Sequence, residues 1–239
     1  MRLVLAISAL LLNAHLAFAQ QAPPPAPAAS AAHVEAARSM SRMLLIESDV
    51  VGVGIRAAFD VLEPRLRQQV LSGPAYDNLR PDTQRSLTHW VDGFQALMQE
   101  ELGAEMGAIG EDFAQRMTTV FTEEEMTDIA SFLAQPIARS AYLKSVEHGA
   151  RTTAAGGGAG TPPPSLTPEE VAAFAEFGAT PAGQAMDRNS DRTMQMLGLA
   201  LEAGTQRLMP RLQQRIPREM CAAMGDECPP GLRAAMEAQ

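Results

Sequence analysis

Residues 121–126 read FTEEEM and residues 166–171 read LTPEEV, and the two hexapeptides begin 45 residues apart. Each has a glutamate three positions after a threonine, which is the pattern of a helix capping box. In a capping box the threonine hydroxyl accepts a hydrogen bond from the amide of the third helical residue, and the glutamate accepts one from the amide of the threonine. The pattern predicts two helices that begin directly after Thr122 and Thr167.

The likeness between the two segments continues at the same offset, with a phenylalanine eleven residues after each start and a proline four residues later. Proline disfavours helical geometry in the residue before it, so we expect a turn and then a second helix in each segment. We interpret residues 121–145 and 166–190 as two copies of a helix–turn–helix repeat. The motif residues are Phe121, Thr122, Glu125, Phe132 and Pro136 in the first copy and Leu166, Thr167, Glu170, Phe177, Pro181, Gly183 and Gln184 in the second.

Apolar residues recur at helical spacing in the first helix of each copy, and we expect them to form a buried stripe in both. The stripe consists of Met126, Ile129, Ala130 and Leu133 in the first copy and of Val171, Phe174, Ala175 and Gly178 in the second.

The composition of the 239-residue chain favours helices throughout. It contains 41 alanines but only 18 valines and isoleucines, and aromatic residues make up 5%. Alanine loses no side-chain entropy in a helix, whereas β-branched residues do. We therefore predict an all-α fold, a helical bundle that contains the two repeat copies, and exclude an all-β sandwich.

The amino terminus has the three parts of a secretory signal. Arg2 supplies the positive charge, residues 3–12 form an apolar run, and Ala17-Phe18-Ala19 is a cleavage site. Residues 1–19 are therefore predicted to be a signal peptide that is cleaved after Ala19, with the bacterial periplasm as destination. No later stretch has the roughly 20 apolar residues of a transmembrane helix, so none is expected after signal removal.

Two stretches rich in small residues and proline divide the mature chain. Residues 20–30 are expected to form an extended tether, and residues 151–165 (RTTAAGGGAGTPPPS) a linker. A helical domain over residues 31–150 and a helical section over residues 166–239 remain, one with each repeat copy. We expect the second section to pack against the first, because a single helical hairpin buries little surface alone.

The two cysteines, Cys221 and Cys228, are candidates for a disulfide, since exported proteins enter an oxidising compartment. On one continuous helix they would be separated by about 10.5 Å of rise. A disulfide tolerates only about 7 Å between Cα atoms. Gly225 can end the helix and turn the chain back, which brings the pair within reach.

The sequence predicts no catalytic residue, no metal ligand and no cofactor. The mature histidines, His33, His89 and His148, lie far apart, and no nucleophile or phosphate-binding motif is present. The mature chain has 18 basic and 28 acidic residues, which argues against a nucleic-acid partner.

Two alternative functions stay open. Glu101 and Glu105 share a helix face and are the candidate acid pair of an envelope hydrolase, although we expect them, with Glu100, to lie on a solvated face. The mature chain has 13 methionines, which leaves open a Cu(I) or small apolar-ligand carrier, because thioethers bind Cu(I) and methionine can line an adaptable groove. The nearest pairs are Met40/Met43 and Met194/Met196, and the second is poorly arranged because residues two apart on a helix do not face each other. Met also fills gaps in an Ala/Leu core, and we prefer that interpretation.

The repeat motif resembles that of exported bacterial proteins carrying the domain of unknown function 2059. The family motif is Phe-Thr-x-x-Glu-Leu, followed by Phe-Tyr-x-Ser-Pro-x-Gly-Gln. The matching residues are Phe121, Thr122, Glu125 and Phe132 in the first copy and Phe177, Pro181, Gly183 and Gln184 in the second, where Thr180 replaces the serine. Both copies lack the tyrosine of the family motif. The resemblance implies a helical envelope protein, and it implies no activity, ligand or catalytic residue.

Taken together, export, the repeat and the lack of a catalytic motif favour a non-catalytic function. We expect a protein-interaction or envelope-maintenance factor that binds an unidentified protein partner in the cell envelope through an apolar helical groove.

Overall fold

The computed structural model describes residues 29–47, 49–156 and 164–237. The predicted signal peptide, nearly all of the tether and residues 157–163 of the predicted linker lie outside the described residues. The described residues form helices and no strand, so the all-α prediction is confirmed.

The helices, numbered in chain order over the described residues, begin at positions that the sequence marks. Six of them start at a proline, whose fixed backbone angle and missing N–H suit the first helical position. The helices are α1 (Ala31–Leu45), α2 (Val50–Val70), α3 (Pro74–Asp77), α4 (Pro81–Met117), α5 (Glu123–Leu133), α6 (Pro136–Ala154), α7 (Pro168–Gly178), α8 (Pro181–Arg188), α9 (Ser190–Met224) and α10 (Pro230–Glu237), with a 3₁₀ turn at Gly225–Glu227.

The two longest of these helices, α4 with 37 residues and α9 with 35, pack along each other. Helices α1 and α2 also pack on α4, α1 packs on α5, and α2 packs on α6. At Gly204 the backbone of α9 approaches α4 so closely that a Cβ would lie 2.5 Å from two side-chain carbons of the fully buried Ile109. Glycine at this position therefore sets the distance between the two long helices.

The main core lies between α1, α4 and α5 and extends to α8 and α9. Its largest fully buried side chains include Met40, Ile109, Phe113, Met117 and Met126. Smaller clusters continue along the α4–α9 contact and around the carboxyl end of α9. The core is thus built from methionine, leucine, isoleucine and phenylalanine against many alanines.

The turn predicted at Gly225 is confirmed, and so is the proximity of the cysteines. Helix α9 ends at Met224, and Gly225 adopts a positive φ of 59°, which favours glycine. Cys221 and Cys228 then lie at disulfide distance, with 5.0 Å between their Cα atoms.

The predicted boundary between the first helical domain and the linker is displaced. Helix α6 runs to Ala154, four residues into the predicted linker, because Arg151, Thr152, Thr153 and Ala154 have no helix breaker among them. Helix α1 begins at Ala31, directly after the predicted tether, and the Ser30 hydroxyl caps it.

Candidate binding groove

Both predicted capping boxes are present. The amides of Glu125 and Glu170 donate to the hydroxyls of Thr122 and Thr167 at 3.3 and 3.2 Å. In return, each glutamate carboxylate accepts from the amide of its threonine at 2.8 Å. The predicted helix starts are therefore confirmed, while the interpretation of the two segments as copies of one repeat stays a prediction.

Replacing Thr122 or Thr167 with alanine should lower the free energy of unfolding by about 1 kcal/mol each, because the first amides of the helix lose their side-chain acceptor. Urea denaturation of the two single variants measures the effect. Unchanged midpoints in both would show that the caps do not stabilise these helices.

The buried stripe is confirmed in the first copy and wrong in the second. In α5, Met126, Ile129, Ala130 and Leu133 are all buried. In α7, by contrast, Val171 is 53% exposed. Ala175 and Gly178 are exposed and Phe174 is partly buried. The reason is that α7 lies at the surface and packs mainly on α6 and α8, whereas α5 is covered by α1 and α8.

The two capped segments pack against each other in a reciprocal way. Helix α5, the first helix of one segment, contacts α8, the second helix of the other, and α6 contacts α7. At the centre, the rings of Phe132 and Phe177 stack with centroids 4.0 Å apart and planes within 2°. Phe174 meets Phe132 edge-on at 5.0 Å. The two phenylalanines that match at the 45-residue offset are therefore in direct contact.

An open groove of about 410 Å³ lies over this stacked pair, between α5 and α7, and we call it the Phe groove. Each residue on the first wall lies 45 positions before a residue on the second wall. The lining residues are Asp128, Ser131, Phe132 and Gln135 on the first wall and Ala173, Glu176, Phe177 and Thr180 on the second. The groove is thus formed by four pairs of matching positions.

The walls of the Phe groove carry negative charge. Asp128 and Glu176 are exposed carboxylates without an ion-pair partner within the described ranges, and none of the eight lining residues is basic. Gln135, the N-cap residue of α6, and Ser131 are also exposed. A groove lined by aromatic rings, hydroxyls and carboxylates can hold a ligand that carries both apolar and polar groups.

The remaining motif residues build the turn that holds Phe177. The Thr180 hydroxyl donates to the carbonyl oxygen of Phe177 at 2.7 Å and accepts from the amide of Gly183 at 3.1 Å. A Cβ on Gly183 would lie 2.0 Å from the same carbonyl oxygen, so only glycine fits. The side-chain amide of Gln184 donates through Nε2 to the Ala179 carbonyl at 3.3 Å.

The other motif positions serve as helix starts or core residues. Pro136 and Pro181 are the first residues of α6 and α8. Phe121 is buried, and its carbonyl oxygen lies 2.8 Å from the Nε2 atom of His33 on α1. Leu166 is partly buried beside the second cap.

Glu170 joins the second capped segment to the first through an ion pair and a hydrogen bond with side chains of α6. The sequence did not predict these contacts. The Lys144 ammonium on α6 donates to both of its carboxylate oxygens at 2.9 and 2.8 Å, and the Ser140 hydroxyl donates at 2.7 Å. The ammonium, followed by the amide of Thr167 and the Ser140 hydroxyl, lowers the pKa of Glu170 to about 2. Ser140 and Lys144 are four residues apart on one helix, but nothing local indicates which residue they face.

Replacing Glu170 with glutamine should flatten the acid dependence of stability. A carboxyl whose pKa is lower in the folded chain stabilises the fold above its unfolded pKa, here about 4.5. That stabilisation is lost as the pH falls towards 2. The difference between urea unfolding free energies at about pH 7 and about pH 3 should be smaller in Glu170→Gln, and in Lys144→Met, than in the wild type. An unchanged difference in both variants would show that this ion pair does not stabilise the fold.

The expectation of a solvated face at Glu101 and Glu105 is wrong. The carboxylate oxygens of Glu105 lie 2.9 Å from the guanidinium of Arg207 and 3.0 Å from that of Arg211. Glu101 lies 2.6 Å from Arg215, and its side chain is only 12% exposed. Both carboxylates are paired with arginines in the contact between α4 and α9.

The physical reason is the register of two antiparallel helices. Three arginines recur every four residues on α9, and the carboxylates of α4 recur on the facing side. Glu100 also pairs with Arg215 at 2.8 Å, and this carboxylate contributes most to raising the pKa of the guanidinium. The matching spacing of arginine and glutamate on two long helices is the signal that could have predicted the pairing.

Most of the methionines discussed above lie in or against the core, in agreement with the interpretation that they fill gaps in it. Met40 is buried, and Met43 and Met196 pack against the main core, whereas Met194 is 65% exposed. In the part of the chain that the structure covers, no group of three His, Cys, Asp or Glu side chains is arranged to hold a metal ion. Among the helices described above, none has the length and hydrophobicity to cross a membrane.

Compared with models of protein families, with curated proteins and with solved structures, the chain has no match.

Proposed function

We propose that this chain is a non-catalytic protein-interaction or envelope-maintenance factor of the bacterial periplasm, and that it holds a segment of a partner protein in the Phe groove. The observation that carries the proposal is the groove itself. Its floor is the stacked Phe132–Phe177 pair, and its walls are the positions of the repeat motif and their neighbours. The repeat thereby acquires a role beyond stabilising the fold.

The contacts between the two segments support this interpretation, because they are those expected of two copies related by an internal two-fold axis. In a two-fold arrangement, equivalent residues meet at the axis, and contacts away from the axis occur in reciprocal pairs. The contact of Phe132 with Phe177 fits the first condition. The α5–α8 and α6–α7 contacts fit the second. The proposed repeat of residues 121–145 and 166–190 therefore forms its groove where the copies face each other.

The chemistry of the groove favours a protein segment as occupant. An open cleft with aromatic carbons at its floor and hydroxyl, amide and carboxylate groups on its walls can take both an apolar side chain and a peptide backbone. The acid pair required by a hydrolase has less support, because Glu101 and Glu105 are engaged by arginines.

The periplasmic location and the family membership belong to the same proposal. The signal pattern of residues 1–19 supports export. Cysteines at disulfide distance fit an oxidising compartment. The motif shared with the domain of unknown function 2059 supports membership in that exported family.

Affinity capture with a blocked groove tests the function. The tagged full chain is recovered from its native envelope after mild crosslinking, as the wild type, as Ser131→Trp on the groove wall and as Gln69→Trp on the exposed face of α2. We expect a stoichiometric protein partner with the wild type and Gln69→Trp, and its loss with Ser131→Trp. Recovery of the bait alone in all three, or of the partner in all three, would contradict the proposal.

A further inference from the structure

We propose that the occupant of the Phe groove is an extended basic segment of the partner protein, with lysine or arginine side chains alternating with apolar ones. This inference rests on the proposed function and adds the chemistry of the partner. It starts from the charge of the walls, where Asp128 and Glu176 stand on opposite sides of the groove with no basic residue among the lining residues. Glu124, one helical turn before Asp128, is also exposed.

Some carboxylates elsewhere on the surface are neutralised by an arginine on another helix. Asp60 is paired with Arg151 at 3.1 Å, and Glu111 is paired with Arg38 at 2.9 Å. Across the described residues, neither Asp128 nor Glu176 has such a partner, although they share one concave surface. Two uncompensated carboxylates in a groove attract a cationic ligand and repel an anionic one.

The floor of the groove suits the rest of a basic side chain. Lysine and arginine bury their aliphatic stems along apolar surface while the charged head reaches polar groups at the edge. Phe132 and Phe177 line the same groove as Asp128 and Glu176, so a stem that packs on the rings can place its charged head near a carboxylate. Apolar neighbours of that side chain can pack on the same rings.

Hydroxyl groups on the walls favour an extended backbone. The Ser131 hydroxyl donates to the Thr127 carbonyl and the Thr180 hydroxyl to the Phe177 carbonyl, so both can only accept from a ligand. Thr180 already accepts from the Gly183 amide and has one acceptor site left. A strand-like peptide presents free amides that can donate to them, whereas a helix uses its amides internally. An extended basic peptide therefore satisfies the floor, the hydroxyls and the carboxylates together.

The test uses two fluorescein-labelled peptides, one of alternating lysine and leucine and one of alternating glutamate and leucine, with binding followed by fluorescence anisotropy. The full chain is compared with Asp128→Lys/Glu176→Lys. The control is Glu47→Lys/Asp77→Lys, which changes the net charge equally at two exposed carboxylates that have no ion pair in the described ranges and lie outside the groove.

We expect the wild type to bind the lysine peptide at least about tenfold more tightly than the glutamate peptide. The groove variant should bind the lysine peptide about tenfold more weakly than the wild type does, and the affinity of the control variant should stay within about twofold of the wild type. Failure of the lysine peptide to bind, equal binding of both peptides, or equal loss in both variants overturns the inference. Failure of the inference is distinguished from failure of the function by repeating the affinity capture with Asp128→Lys/Glu176→Lys. If this variant retains the partner and Ser131→Trp loses it, the proposed function stands and the inference of a basic segment is refuted.

Discussion

Replacing Phe132 with alanine is expected to lower the free energy of unfolding by about 3–5 kcal/mol, the cost of truncating a fully packed phenylalanine. The side chain is 6% exposed, stacks on Phe177 and meets Phe174 edge-on. It also belongs to the main core that joins α5 to α1 and α4. Its removal leaves a cavity at the point where the two capped segments meet. Urea denaturation measures the loss.

The matched control for Phe132→Ala is Val171→Ala on α7. Val171 is 53% exposed, so its truncation should change stability by no more than about 0.5 kcal/mol. A double-mutant cycle of Phe132→Ala and Phe177→Ala should give a coupling energy of about 0.5–1.5 kcal/mol between the two rings. A loss below about 1 kcal/mol for Phe132→Ala, or no coupling, would contradict the central position of this stack.

Replacing Gly183 with alanine is expected to lower the free energy of unfolding as well, although glycine lies within a helix. Alanine normally stabilises a helix by about 1 kcal/mol relative to glycine. Here, however, the new methyl group would lie 2.0 Å from the Phe177 carbonyl oxygen, a backbone atom that cannot move without opening the α7–α8 turn. We expect destabilisation of about 1–3 kcal/mol, as for other overpacked sites. Thermal or urea unfolding of the variant measures it.

Gly178→Ala is the control for Gly183→Ala, since both residues flank the same turn. A Cβ at Gly178 meets nothing within 4 Å, so this variant should be neutral or slightly stabilised. If Gly183→Ala were as stable as Gly178→Ala, the close approach at the turn would be refuted, and with it the reason for glycine at this motif position.

The features that the sequence predicted correctly are the local ones. The threonine–glutamate spacing predicts the starts of α5 and α7, and Gly225 predicts the end of α9, because these signals act over three or four residues. The spacing of Cys221 and Cys228 then follows from the turn between them. Nothing in these predictions requires knowing where a helix lies in the fold.

The predictions that failed depend on tertiary position. The apolar stripe of α7 is periodic, yet Val171 faces solvent because α7 lies at the surface and no further helix among the described residues covers that side. Glu101 and Glu105 resemble surface acids until α9 brings its arginines opposite them. Periodicity indicates which residues share a face, whereas burial depends on what packs there.

The Phe groove belongs to the same class of features. The 45-residue offset pairs Phe132 with Phe177 in the sequence, but an offset does not say that the two copies face each other. Only the reciprocal α5–α8 and α6–α7 contacts bring the matching positions onto two walls of one groove. The likeness at the 45-residue offset was therefore visible in the sequence, and the groove that the matching positions line was not.

The most direct test of the proposed binding site is photo-crosslinking in the native envelope. A photoreactive side chain is introduced at Gln135, on the wall of the Phe groove, and in a second variant at Gln69, on the exposed face of α2. We predict that Gln135 crosslinks to one defined protein and that Gln69 does not. No crosslink from Gln135, or the same products from both positions, would contradict the assignment of the groove as the partner-binding site.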